Sequence, residues 1–252
     1  MRLSGSAMTQ GAPVQPQEPS REALAFEVAT IKPNASGVGS SSTNSTNGFL
    51  LITNQTLRNI IQYAYNVRDF QISGGPGWMG SDRYDVAAKP ENGAHDQQMK
   101  QMLQTLLSDR FQLRFHRETR EGAVYTLLVG KNGPRLQPAK ESGSSGITSG
   151  RNSTTGLSTM SGKRASLVEI AANLSARLGR PVFDKTGLTD KFDFELSWVP
   201  DLTTSGTGAP SPAVSGPSLL TAVQEQLGLR LESQKGPIEI LVIDQVSRPQ
   251  EN

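Results

Sequence analysis

The chain has 252 residues, of which 25 are Lys or Arg and 23 Asp or Glu, with 25 Gly, 15 Pro and no Cys. That length holds one large domain or two small ones, and the missing Cys excludes a disulfide framework, a thiolate metal site and a Cys nucleophile. A net charge of +2 gives no surplus for an obligate polyanion partner, so nucleic acid is not expected, and no apolar run approaches the roughly 18 residues that cross a membrane.

Residues 1–22 are rich in Pro, Gln and Ser and lack the apolar core of about ten residues that marks a secretory signal. They read as a flexible segment ahead of a first lobe over 23–140. Phe26, Val28 and Thr30 alternate with Glu27 and Ala29 as a half-buried strand closed by Pro33, and residues 49–52 form a second strand. Leu57, Ile60, Ile61 and Ala64 fall at helical spacing behind Thr56, a side chain suited to an N-cap. Residues 70–72 and 84–88 read as strands on either side of the Gly-rich run 74–80. Met99, Met102, Leu103, Leu106 and Leu107 make the stripe of a second helix. Phe111, Leu113 and Phe115 then alternate as a strand, and Val124, Thr126 and Leu128 begin its return, with a hairpin turn near Glu121-Gly122.

Residues 141–165 are expected to be a linker, because 17 of the 21 residues in 142–162 are Gly, Ser, Thr or Asn. A second lobe follows over 166–248. Ser166 and Glu169 form a capping box ahead of Leu167, Ile170, Ala171, Leu174 and Leu178, and Gly179 is a natural stop. Residues 181–184 and 192–198 read as strands around the turn Lys185-Thr-Gly187, and 203–217 as a flexible loop. Ser218 caps a helix carrying Leu219, Ala222, Val223 and Leu227. Leu229 and Leu231 lead through Gly236-Pro237 into Ile238, Ile240 and Val242.

The halves align. Leu103, Leu107, Phe111, Leu113 and Phe115 match Leu219, Val223, Leu227, Leu229 and Leu231 at one offset of 116, and Leu57 and Ile60 match Leu167 and Ile170 at 110. Either a duplication or two independently patterned units produces such an order. The expected fold is α+β, with two similar lobes, each an antiparallel sheet with two helices packed on one face.

Chemistry-bearing motifs are sparse. Asp184-Lys-Thr-Gly187 reads as a turn in which the carboxylate accepts from turn amides. The Gly-rich run 74–80 lacks the Gly-Lys-Ser/Thr ending of a phosphate cradle and reads as a connector plugged by Trp78; an exposed Trp78 would instead be a partner or glycan platform. The two histidines, His95 and His116, lie on different elements, so no metal site is expected. Arg114 and His116, with Arg110, Arg117 and Arg120 close by, make a basic face that either binds an anion or guards an edge strand. No Ser or Thr sits in a nucleophile elbow. The residues thus give no catalytic set and no cofactor, and a tentative partner surface of Trp78, Arg114, His116 and Arg117.

Several segments resemble one bacterial family: Phe26-Glu-Val-Ala-Thr-Ile-Lys-Pro-Asn34, Gly77-Trp-Met-Gly-Ser-Asp-Arg-Tyr-Asp85, residues 103–115, Arg180-Pro-Val-Phe-Asp-Lys-Thr-Gly-Leu188, Phe192-Asp-Phe-Glu-Leu196 with Trp198, and 219–244. This is the acidobacterial group known as domain of unknown function 3738, the soil-associated proteins, and the likeness runs from about residue 25 to 248. The resemblance implies an extracytoplasmic protein and relatives fused to antirepressor-type membrane metallopeptidases, and brings no catalytic residues with it. The second half is similar in layout to the short N-terminal domain of secretins and TonB-dependent receptors. The expectation is a non-catalytic extracytoplasmic binding or protein-interaction module of the bacterial envelope, with an envelope protein or the cell wall as partner. The alternatives are a hydrolase or regulator of an envelope peptidase, and a polyanion or cell-wall binder.

Overall fold

The computed structural model describes residues 24–249 except 38, 47, 141 and 201–213. The expected flexible segment 1–22 and most of the loop 203–217 therefore lie outside the described residues. In chain order the elements are β1 (Val28–Pro33), β2 (Ser42–Thr46), β3 (Phe49–Thr56), α1 (Leu57–Tyr65), β4 (Ile72–Gly74), β5 (Arg83–Lys89), α2 (Asp96–Arg110) and β6 (Arg114–Val129). They continue with β7 (Gln137–Pro138), β8 (Gly146–Arg151), β9 (Ser158–Ala165), α3 (Leu167–Leu178), β10 (Val182–Asp184), β11 (Phe192–Trp198), α4 (Leu219–Leu227) and β12 (Leu229–Gln245). The fold is α+β.

The strands form three sheets, ordered β1-β5-β3-β2, β10-β6-β12-β4 and β7-β11-β9-β8. The first and third correspond strand for strand, and each continues into a helix through the same kind of cap. Thr56 Oγ1 accepts from the Asn59 amide at 3.2 Å. Ser166 Oγ accepts from the Glu169 amide while Glu169 Oε2 accepts from the Ser166 amide at 2.8 Å. Such caps satisfy amides that have no partner inside the helix, each worth about 1 kcal/mol. Both sheets also share a bulge. Asn54 on β3 and Arg164 on β9 adopt left-handed φ angles of 54° and 48°. Their amides donate to the carboxylates of Asp85 and Asp193 on the neighbouring strands at 2.8 and 2.9 Å. Each extra residue re-aims its strand toward the following helix.

Two cores follow from the alternation. Leu50, Ile52, Tyr84 and Val86 face α1 and α2, whose buried stripes are Leu57, Ile60, Ile61, Ala64 and Met99, Leu103, Leu107. Met160, Phe194, Leu196 and Trp198 face α3 and α4.

Three expectations are corrected. The two hairpins do not exist: β6 and β12 are continuous strands that pair with each other antiparallel over their full length. Glu121-Gly122 and Gly236-Pro237, expected as turns, lie opposite one another in that ladder. A ladder that runs from Val129–Leu229 to Arg114–Gln245, with one irregularity between Ile243 and Gln245, pairs backbone groups that two short hairpins would leave at their turns. Next, the stretch 141–165 is no linker, since it carries β8 and β9. Its small residues serve packing: a Cβ at Gly162 would overlap the Phe194 ring. The sheet that holds β8 and β9 also takes in β7, which lies before residue 141. Finally, β10 does not pair with β11. It joins the central sheet beside β6, as β4 joins it beside β12, both in parallel. Each half therefore lends its short strand to the long strand of the other, and the lobes share one sheet.

Candidate functional site

Antiparallel partners share a face of the central sheet. Of the odd-numbered positions of β6 and β12, Phe115, Leu127, Leu229, Leu241 and Ile243 face the helices and join one core or the other. Even-numbered positions, including Arg114, His116, Glu118 and Arg120, face the opposite side.

Between the two cores the helix layer parts. A cleft of about 670 Å³ opens there over the middle of the β6–β12 ladder, lined by Phe70, Val168, Ala171, Pro181, Thr119 and Pro237 among others. Its walls come from opposite halves, tied by two bonds. Arg68 Nη2 donates to the Ala172 carbonyl at 3.3 Å, and Gln71 Nε2 to the Glu239 carbonyl at 3.1 Å. Val168 is 68% exposed on α3, an apolar side chain outside the buried stripe of its helix. Ser175 on the same wall is fully used, donating to the Ala171 carbonyl and accepting from the Val182 amide. The cleft can hold an apolar group and offers bonds at its rim.

The four residues expected as a partner surface do not converge. Arg114 Nη1 reaches the end of α2 and donates to Ser108 Oγ at 2.6 Å, while His116 Nδ1 lies 2.8 Å from Asp244 Oδ1. Arg117 lies on the other face of the sheet, paired with Glu239. Arg120 pairs with Glu118 at 2.7 Å. Trp78 is half-buried against the first core, with the Arg248 guanidinium 4.9 Å over its ring and Arg248 Nε 2.9 Å from Asp82 Oδ2. It is a plug with one covered face rather than an open platform.

Titratable groups elsewhere serve the scaffold. Burial raises the Tyr65 and Tyr63 hydroxyls to about 12, and at Tyr63 the bond to Asp96 adds to it. Lys100 beside Asp96 lowers that carboxyl, and the Ser166 amide lowers Glu169. Asp184 Oδ1 accepts from the Thr186 amide and hydroxyl at 2.9 and 2.8 Å, with Gly187 at φ 74°, which is the expected turn. Among the described residues, no three His, Asp or Glu side chains gather where they could hold a metal ion, and no helix is long and apolar enough to cross a membrane.

Sequence reasoning missed the cleft, although one signal was present. Val168 breaks the polar face of an otherwise amphipathic helix. Arg68 and Ala172 are 104 residues apart, and no periodicity joins them.

No curated protein and no solved structure matches this chain. Residues 58–246 match the model of a family described as a protein of unknown function, DUF3738. The matched stretch begins inside α1 and takes in the central sheet, the cleft and the whole second half, leaving β1, β2 and β3 outside it. The chain belongs to the DUF3738 family.

Proposed function

We propose that the chain is a non-catalytic binding or protein-interaction module of the bacterial envelope, with its ligand seated in the cleft between the halves. The observation that carries this reading is the cleft itself: about 670 Å³, with an apolar wall from α3 and a bonded polar rim. Concave, mostly apolar sites with a few placed polar groups are where small ligands and side chains bind. The likeness to soil-associated extracytoplasmic proteins supports the envelope as its place.

A hydrolytic role would draw on His116 and Asp244, which stand as a base and its orienting acid do. Among the described residues no hydroxyl is hydrogen-bonded to that imidazole. A polyanion-binding role would need uncompensated cations, whereas Arg117 and Arg120 each hold a carboxylate.

A fragment screen by ligand-observed NMR tests the reading. Fragments are expected to bind the chain and to lose binding in Val168→Arg, which fills the cleft. Fragments that bind both proteins equally would overturn it. So would turnover of a peptidase or esterase substrate that disappears in His116→Ala.

A further inference from the structure

We propose that the outer edge of β6, from Arg117 to Ala123, accepts an extended peptide segment of another protein as an added strand. This rests on the cleft being a binding site, and names what binds there.

β10 covers the edge of β6 only at Tyr125, Thr126 and Leu127. From Arg114 to Val124, no other strand among the described residues pairs on that side. The direction of the backbone groups follows from two bonds. The Tyr125 amide donates to the Pro181 carbonyl at 2.8 Å, and the Lys185 amide donates to the Leu127 carbonyl at 2.9 Å. Odd-numbered positions of β6 thus turn their N–H and C=O toward this edge. Strand alternation extends that to Arg117, Thr119, Glu121 and Ala123, all exposed.

The matching edge of β12 shows what a closed edge is like. At the offset of 116, Glu121 corresponds to Pro237 and Ala123 to Glu239. Pro237 has no N–H to offer a new strand, and the Glu239 carbonyl already accepts from Gln71 Nε2. On β6 the first position is Glu121, with its amide. The residue that matches Gln71 is Pro181, which has no side-chain donor for the Ala123 carbonyl. Among the described residues, one half has closed its edge and the other has left it open.

A row of alternating donors and acceptors is complementary to an extended backbone about 4.8 Å away. Four outward positions span about 20 Å, so roughly seven residues would fill them. Thr119 and Pro181 line the cleft as well as bordering this edge. An added strand would therefore turn every second side chain toward Val168 and Ala171, which selects apolar residues at alternate positions. The edge itself carries Arg117, Glu118, Arg120 and Glu121, charges that disfavour pairing with an arbitrary strand.

The test pans a phage-displayed library of random 12-residue peptides on the full chain and titrates synthetic copies of the enriched ones by calorimetry. Enriched peptides are expected to carry apolar residues at alternate positions. Thr119→Pro removes an outward amide and leaves the bonds to β12 in place, so it is expected to weaken binding about tenfold with an unchanged melting temperature. Should that variant fold poorly, peptides N-methylated at alternate residues give the same answer from the ligand side: one methylation phase abolishes binding and the other does not. Peptides lost on Val168→Arg, yet indifferent to Thr119→Pro and to N-methylation in either phase, would leave the cleft standing and overturn strand addition. A library that yields no peptide would overturn it too. So would a concentration-dependent dimer that Thr119→Pro dissolves, since the occupant would then be a second copy.

Discussion

Gly122 faces Gly236 in the β6–β12 ladder, and neither turns the chain. At each, a side chain would crowd a neighbour on the same face of the sheet. A Cβ at Gly122 would come within 2.7 Å of Ile238 Cδ1, and one at Gly236 within 3.0 Å of Val124 Cγ2. The pair marks the place where the halves join back to back through one sheet.

That joint predicts that the chain survives a cut. A protease site placed between Asn132 and Gly133 leaves β6 on one fragment and β12 on the other, with β4 and β10 crossing over. The nicked protein is expected to run as a single peak in size-exclusion chromatography without denaturant. Two separating fragments would contradict the shared sheet.

Gly162→Ala is expected to destabilise by about 2 kcal/mol. Phe194 is buried and its ring lies directly over Gly162, so the new methyl forces either the ring or the β9–β11 pairing to move. Thermal unfolding followed by circular dichroism measures it, and an unchanged melting temperature would contradict the packing.

Asp193 supplies an acid-side dependence of stability. The Arg164 amide, then Lys163, hold its carboxyl below the ordinary value. A group lowered on folding contributes fully above its unfolded pKa and loses that contribution as pH falls through the folded one. Wild type is therefore expected to melt higher than Asp193→Asn at pH 7, with the difference shrinking below about pH 4. Melting curves at pH 7 and pH 3 check this, and a gap that widens in acid would contradict it.

Val168→Arg separates site from scaffold. The side chain is exposed and outside the α3 stripe, so stability is expected to change by no more than about 0.5 kcal/mol. Any ligand of the cleft should be lost at the same time, as read by titration against wild type.

Local signals carried through to the structure and long-range ones did not. Thr56, Ser166 and Ser218 cap the helices expected of them, because a cap is decided within four residues. Gly122 and Gly236 suggest turns in the sequence because glycine marks either a reversal or a close approach, and the strand that decides between them lies more than a hundred residues away. The stretch 141–165 looked like a linker by composition, yet Met160 and Ala165 alternate inward around Gly162. The cleft was illegible for the same reason as the ladder: its walls meet only after both halves have folded. Of the proposed surface, the charged residues were legible as exposed, but their carboxylate partners Glu239 and Asp244 come from the other half.

The crossing of β4 and β10 also sets an order of events during synthesis. While a ribosome is still making the second half, β6 lacks its long partner β12 and can gain only the short pairing with β10, and β4 has nowhere to dock. The rest of β6 and all of β4 stay unpaired in the central sheet until residues 229–245 emerge. Contacts between such distant segments form slowly, so a nascent chain carries an unsheltered strand from the completion of β6 to that of β12 and is exposed to misassociation over that interval.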